Sequence, residues 1–170
     1  MLHDQGKTVV DPSAIESDLK VLAASSNNLN RLTDQLTGYI ELVESVLNAL
    51  NLGLKASVVV ERSSDEDGTW CHYVRLWYDK IDGKWGLAVD EYDENQEDPN
   101  PDASWINRKF WAFTDAPRAL RLKVVPGIPD LIRALVKESE RMAAATAATV
   151  ARAKEIAASL SKSAPSVAGK

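Results

Sequence analysis

Cys71 and His72 carry the most reactive side chains in the chain, and they are neighbours in the sequence. A thiolate and an imidazole perform nucleophilic catalysis when the base contacts the nucleophile directly. Both residues fall in a predicted strand, where successive side chains point to opposite faces, so no such contact is expected. His72 instead shares a face with Val74 and Leu76, which predicts a partly buried structural histidine.

Other catalytic motifs are missing from the sequence. It contains no phosphate-binding Walker loop, no GxGxxG, GxSxG or HExxH pattern, and no second cysteine. A site built only from carboxylates leaves no local pattern, so this one class of enzyme remains open. The sequence otherwise predicts a protein without catalytic activity and without a cofactor.

The acidic run DEYDENQEDPNPD, residues 90–102, raises the question of a metal site. Carboxylates suit Ca²⁺ and Mg²⁺, but the run lacks the central glycine and the spaced final glutamate of an EF-hand loop. Asparagine and proline in its second half indicate a solvated loop. We predict no metal here, and an acidic loop that meets a basic partner or the basic C-terminal helix.

A hairpin is predicted in RLWYDKIDGKWGLAVDEYDE, residues 75–94, around Asp82-Gly83. Asp-Gly between two strand-like segments favours a two-residue type I′ turn. This register sorts the side chains into two faces. The apolar face collects Tyr78 opposite Leu87, Leu76 opposite Val89, Val74 beyond them and Trp85 near the turn. The other face collects Trp77 opposite Ala88, Arg75 opposite Asp90, and Tyr73 opposite Tyr92.

This second face is the candidate binding surface, since tryptophan, tyrosine and arginine dominate protein interfaces. The predicted surface consists of Tyr73, Arg75, Trp77, Asp90, Tyr92, Asp93 and Glu94. Trp77 is expected to project from the sheet away from the core, so that its truncation weakens binding and leaves the fold intact. The alternatives are a face covered by the next connection or by a second subunit, and a site for a flat ligand or nucleotide. Nucleic acid is disfavoured because Asp90, Glu91, Asp93 and Glu94 would repel phosphates.

Two long helices must flank these strands. Counting in alternate steps of four and three through residues 12–52 gives Ile15, Leu19, Leu22, Ser26, Leu29, Thr33, Leu36, Ile40, Val43, Leu47 and Leu50, a coiled-coil seam. Residues 129–160 repeat the pattern with more alanine and threonine. Small residues let helix backbones approach closely, so we predict antiparallel packing of the two helices and a homo-oligomer, most simply a homodimer, formed through them.

The predicted fold class is α+β, with long N- and C-terminal helices around or beside a three- to four-stranded antiparallel β-meander. The expected boundaries are a flexible N-terminus 1–10, one domain 11–160 and a disordered tail 161–170. Within the domain we expect helix 12–52, meander 55–114, short helix 116–125 and helix 129–160.

The formal net charge of −5 argues against a surface built as a whole for nucleic acid. The single cysteine excludes an intramolecular disulfide, which is consistent with the predicted cytoplasmic location, and no apolar run is long enough to span a membrane. The predicted function is a non-enzymatic interaction module, such as an oligomeric adaptor, chaperone-like or inhibitor protein. The alternative is a sensor of a small ligand or nucleotide, or a carboxylate-based enzyme, with its site between sheet and helices.

Overall fold

The computed structural model describes residues 12–98 and 105–163. The predicted flexible N-terminus, the end of the acidic run and most of the predicted tail lie outside these residues. The chain divides into two compact units, 1–43 and 44–170. The predictions of a single domain and of coiled-coil packing between the long helices therefore stay predictions.

Helix α1, Pro12–Ala49, crosses the boundary between the units. It ends three residues before the predicted position. The chain leaves the helix because Asn51 (φ 46°) and Gly53 (φ 62°) both adopt left-handed backbone conformations, the usual way in which a helix ends. The amide of Leu50 still bonds to the carbonyl of Leu47 at 3.2 Å, so the last turn tightens before the exit.

Four strands follow: β1 (Ala56–Ser64), β2 (Trp70–Ile81), β3 (Lys84–Asn95) and β4 (Trp105–Ala112). They form one antiparallel sheet in the order β1-β2-β3-β4, which confirms the predicted α+β class and meander. Asp82 (φ 48°) and Gly83 (φ 85°) occupy the β2–β3 turn between the paired Ile81 and Lys84. Two positive φ angles are what a type I′ turn requires, so the predicted hairpin is confirmed.

Register shifts interrupt the pairing twice, between Val59 and Glu61 on β1 and between Glu91 and Asp93 opposite β4. On the β4 side, Asn107 takes a φ of 54°. An extra residue in one strand of a pair reverses which face the following side chains occupy. The first bulge determines which β1 side chains, and the second which β4 side chains, share a face with those of the central strands.

After β4, a short 3-10 turn leads into α2 (Arg118–Val124), and a second 3-10 turn leads into α3 (Ile128–Ser163). Helix α3 begins one residue earlier and ends three residues later than predicted. Residues 161–163 are therefore helical, although the tail was predicted to begin at 161. Among the described residues, no helix combines the length and apolarity that crossing a membrane needs.

The side of the sheet that faces α2 and the start of α3 is called the inner face. A Cβ on Gly127 would lie 2.7 Å from a methyl group of Val60, so only glycine lets the chain cross β1 so closely. The inner face and the helices on it supply most of the core: Val74, Leu76, Tyr78, Leu87, Val89, Leu120, Val124, Leu131 and Leu135 are buried. Burial of this apolar area is the main stabilising term of the unit 44–170.

Candidate functional site

The opposite side of the sheet, called the outer face, carries the aromatic residues predicted from the hairpin. The pairs Arg75–Asp90, Tyr73–Tyr92 and Trp77–Ala88 lie directly across β2 and β3, as predicted. Six of the seven predicted surface residues, all except Asp93, are therefore brought together on one side of two adjacent strands.

Arg75 and Asp90 form a bidentate ion pair at the centre of the outer face. The Arg75 Nε donates to Asp90 Oδ1 at 3.0 Å, and its Nη2 donates to Oδ2 at 2.7 Å. Asp90 has no exposed surface, and Arg75 keeps 8% of its surface exposed. Two parallel bonds between a planar guanidinium and a carboxylate fix both side chains in one geometry. The pair is therefore a rigid centre of the outer face.

Asp90 accepts further donors from two neighbours. The Trp77 Nε1 donates to Oδ1 at 2.9 Å, and Arg108 approaches Oδ2 with both Nε and Nη2 at 3.1 Å. Buried carboxylates are costly unless they are paired and hydrogen-bonded in this way. Trp77 lies on the outer face, away from the core as predicted, but it is half-buried and donates to Asp90. The expectation that its truncation leaves the fold intact stays a prediction.

Aromatic rings enclose the Arg75 guanidinium. Its central carbon lies 4.6 Å from the Trp77 ring centroid, 4.3 Å from Tyr92 and 4.9 Å from Trp105. The negative faces of these rings attract the cation, most strongly where water is excluded. Tyr73 and Tyr92 also stack at 5.1 Å, and burial raises the pKa of the Tyr92 hydroxyl above its ordinary value. The centre of the outer face is a packed cation–aromatic cluster.

The exposed part of the outer face lies on its two edge strands. Arg62 and Val59 are exposed on β1, and Trp105, Arg108 and Phe110 are exposed on β4. None of these five residues was among those predicted. Strict alternation along β4 would put Trp105 on one side and Arg108 and Phe110 on the other, but the bulge at Asn107 reverses that assignment. Only the register, which the sequence does not give, places them together.

Asp93 lies on the inner face, away from the surface to which it was assigned, because it alternates with Tyr92 and Glu94. His72 Nδ1 lies 2.8 Å from Asp93 Oδ1, and Asn107 donates to Asp93 Oδ2 at 3.0 Å. The hydrogen bonds from Asn107 and His72 lower the pKa of the Asp93 carboxyl below its ordinary value. His72 is half-buried on the inner face, as predicted.

Cys71 is buried on the outer side of the sheet, and the Arg62 guanidinium lies 3.4 Å from its sulfur. Cys71 and His72 therefore occupy opposite faces, as the strand pattern predicted. Within residues 12–98 and 105–163, no three histidine, cysteine or acidic side chains lie close enough together to hold a metal ion.

Three of the four acids expected to repel phosphate from the outer face are not displayed there. Asp90 is buried against two guanidinium groups, and Glu91 pairs with Lys109 on the inner side. Asp93 is also on the inner side, so only Glu94 remains. Its carboxylate is half-buried and accepts bonds from the Trp105 Nε1 at 3.1 Å and the Gln96 side chain at 2.9 Å.

An open cleft of about 780 Å³ lies beside the hairpin turn. The Tyr78 hydroxyl donates to Asn48 at 2.6 Å, and Glu44 accepts the backbone amide of Leu87 at 2.6 Å. Tyr78 also stacks on Trp85 at 5.4 Å. These contacts anchor residues 44–49 of α1 against the hairpin, so the polar groups of the cleft have structural partners.

Comparison of the chain with models of protein families, with curated proteins and with solved structures gave no match.

Proposed function

We propose that the protein is a non-enzymatic protein–protein interaction module of the cytoplasm, an adaptor, chaperone-like or inhibitor protein that contacts its partner through the outer face. The observation that carries the proposal is the exposed aromatic and arginine rim around a rigid centre. Trp105 and Phe110 keep 38% and 41% of their surface exposed beside the buried Arg75–Asp90 pair.

The energetics favour such a surface as a binding site. Tryptophan, other aromatic residues and arginine are enriched at protein interfaces and supply much of the binding free energy. Side chains that are already fixed lose little conformational entropy when a partner binds. The Trp105 ring lies 4.9 Å from the Arg75 guanidinium carbon and donates its Nε1 hydrogen to Glu94, so this part of the rim is held in place before any partner arrives.

The proposal is tested by a matched pair of substitutions in the full chain. Phe110→Asp places a charge in the outer face, and Val136→Asp makes the same change at an exposed position of α3. We expect a partner that co-purifies at fixed stoichiometry with the wild type to be lost from Phe110→Asp and retained by Val136→Asp. Circular dichroism and thermal melting check that both variants fold. Equal retention by both would contradict the proposal.

We also propose self-association through α1. In the unit 1–43, the seam residues Ile15, Leu19, Leu22 and Leu29 keep 46%, 58%, 63% and 43% of their surface exposed. An apolar stripe of this kind is stabilised by burial against another helix. Light scattering at micromolar concentration should give at least twice 18.6 kDa for the wild type, and Leu22→Asp should lower that mass. A wild-type monomer at this concentration would contradict self-association.

A second candidate function is the binding of a small ligand in the hairpin cleft, favoured by its volume of about 780 Å³ and by the stacked Tyr78 and Trp85 rings. Pockets of this size suit metabolite-sized molecules. A thermal-shift screen with metabolites, nucleotides and metals tests it. A specific shift that Trp85→Ala abolishes supports this function, and no shift across the screen speaks against it.

A further inference from the structure

We infer that the outer face recognises a carboxylate on the partner, held by Arg108 between apolar side chains. The favoured partner is thus a protein segment in which aspartate or glutamate stands beside aromatic or aliphatic residues. This inference rests on the proposed function and names the chemistry of its partner.

The centre of the outer face holds more positive than negative charge. Two guanidinium groups, those of Arg75 and Arg108, share the single carboxylate of Asp90. Taken together, Arg75, Arg108 and Asp90 therefore carry a net charge of one positive unit. Arg62 adds a second cation in the adjacent row of side chains, where it lies 5.6 Å from the Tyr73 ring centroid.

Exposure shows where that charge is presented. The Arg75 side chain is 9% exposed, whereas the Arg108 side chain is 41% exposed. Arg108 approaches Asp90 with Nε and Nη2, so the contact with Asp90 does not use Nη1. A guanidinium presents five N–H donors in a planar fork, so one edge can hold an internal carboxylate while the other receives a second one.

The surroundings of Arg108 strengthen a contact with an anion. Its guanidinium carbon lies 5.4 Å from the Trp105 ring centroid and 5.8 Å from that of Phe110. Both rings are partly exposed, so an arriving segment that covers them also removes water from the ion pair. Charged hydrogen bonds gain strength as the local dielectric constant falls. The rings thus select for apolar residues next to the acid.

The competing anion on this face is Glu94, which limits the kind of polyanion that fits. Its carboxylate accepts a hydrogen bond from the Trp105 Nε1, and it lies opposite Trp105 in the β3–β4 register. A single carboxylate directed at Arg108 avoids it, whereas a nucleic-acid backbone needs several cations along its path. Among the described residues, the outer face offers two outward cations beside the Arg75–Asp90 pair, Arg62 and Arg108, with Lys84 on the same side of β3 at the hairpin turn. The chain as a whole is acidic, with a net charge of −5. A protein segment is therefore favoured over a nucleic acid.

The test begins with selection of a phage-displayed library of random twelve-residue peptides on the immobilised full chain. Enriched peptides are synthesised, and their affinities are measured by fluorescence anisotropy. Each peptide has a partner in which Asp and Glu are replaced by Asn and Gln. We expect enriched peptides to contain an acid beside an apolar residue, and the amide versions to bind at least about tenfold more weakly.

Arg108→Gln is the decisive variant, and Lys109→Gln is its control. Lys109 is the next residue of β4 and carries the same charge, but it pairs with Glu91 on the inner side at 3.2 Å. We expect Arg108→Gln to weaken the acidic peptides about tenfold or more and Lys109→Gln to leave them unchanged. Combining Arg108→Gln with the amide version of the peptide should reduce the affinity no further than either change alone. Arg108→Lys keeps the positive charge toward Asp90 and is expected to bind the acidic peptides with intermediate affinity. It replaces Arg108→Gln as the test variant if Arg108→Gln fails to fold.

The other outcomes separate the inference from the function on which it rests. Peptides without acids that still require Phe110 would overturn carboxylate recognition but leave the interaction module intact. No enrichment, or binding that neither Phe110→Asp nor Arg108→Gln alters, would overturn both. A fifteen-residue deoxythymidine oligonucleotide serves as the nucleic-acid probe. Its binding through Arg108 more tightly than any selected peptide would also overturn the inference.

Discussion

Asp90→Asn is expected to be among the most destabilising single substitutions on the outer face. The side chain has no exposed surface and accepts donors from Arg75, Trp77 and Arg108. Asparagine keeps the shape but removes the charge, and its amide group then points a donor at other donors. Breaking a buried ion pair by removing one partner costs about 3–5 kcal/mol, because the other charge remains buried without compensation.

The structure adds an asymmetry to this prediction. Arg75→Met leaves Asp90 in contact with Arg108 and Trp77, so part of the compensation survives. Asp90→Asn leaves two guanidinium groups in contact with no carboxylate between them. We therefore expect Asp90→Asn to reduce the free energy of unfolding more than Arg75→Met does. A loss of about 3–5 kcal/mol corresponds to a Tm lower by roughly 6–20 °C for a chain of this size.

Urea denaturation followed by tryptophan fluorescence measures the effect, since all five tryptophans lie on the strands of the sheet. Glu91→Gln is the matched control. Glu91 is the next residue of β3, and it pairs with Lys109, whose side chain is 63% exposed, so its loss should cost no more than about 1 kcal/mol. A free energy of unfolding for Asp90→Asn within that same 1 kcal/mol of the wild type would refute the reasoning.

Three further predictions concern other parts of the unit 44–170 or α1. Trp77→Phe keeps an aromatic ring near Arg75 but removes a donor to the Asp90 carboxylate, and should cost about 1.5–3 kcal/mol in urea melts; an unchanged midpoint would mean that this bond contributes nothing. Because the folded state lowers the pKa of Asp93, its stabilisation is complete above the unfolded pKa and is lost as the pH falls through the folded one. Asp93→Asn should accordingly lose less stability than the wild type in thermal melts between pH 5 and pH 3. An equal decrease in Tm for the two proteins would contradict this prediction. Gly127→Ala places a Cβ 2.7 Å from a β1 methyl group and should reduce the free energy of unfolding by about 1–3 kcal/mol. Gly38→Ala, at a position with open space in α1, should increase it by about 0.5–1 kcal/mol. Equal melting temperatures for the two variants would contradict this prediction.

The hairpin and both faces of β2 and β3 were predictable because one local signal fixes them. Asp82-Gly83 sets the turn, and a period of two then assigns every side chain of both strands to a face. The pairing of Arg75 with Asp90 follows from that register alone. The burial of the pair does not, because it depends on rings contributed by β4.

The contribution of β4 was not predictable for a specific physical reason. The bulge at Asn107 reverses the alternation of the strand, so that Trp105 and Arg108 face the same side. No residue pattern in the segment announces this, since asparagine at positive φ is also common in ordinary turns. The wrong assignment of Asp93 has a simpler cause. It was grouped with its sequence neighbours in the acidic run, although alternation already placed it on the side of His72.

The sequential order β1-β2-β3-β4 also has a consequence for how the sheet folds. Every strand pairs with its neighbour in the chain, so each pairing closes a short loop and costs little chain entropy. Proteins with such local contacts fold faster than sheets assembled from distant segments. The β2–β3 hairpin has the shortest connection, the two residues Asp82 and Gly83, and we expect it to form first. The last charge to be enclosed would then be that of Asp90, when β4 arrives and Arg108 and Trp105 cover an ion pair already made.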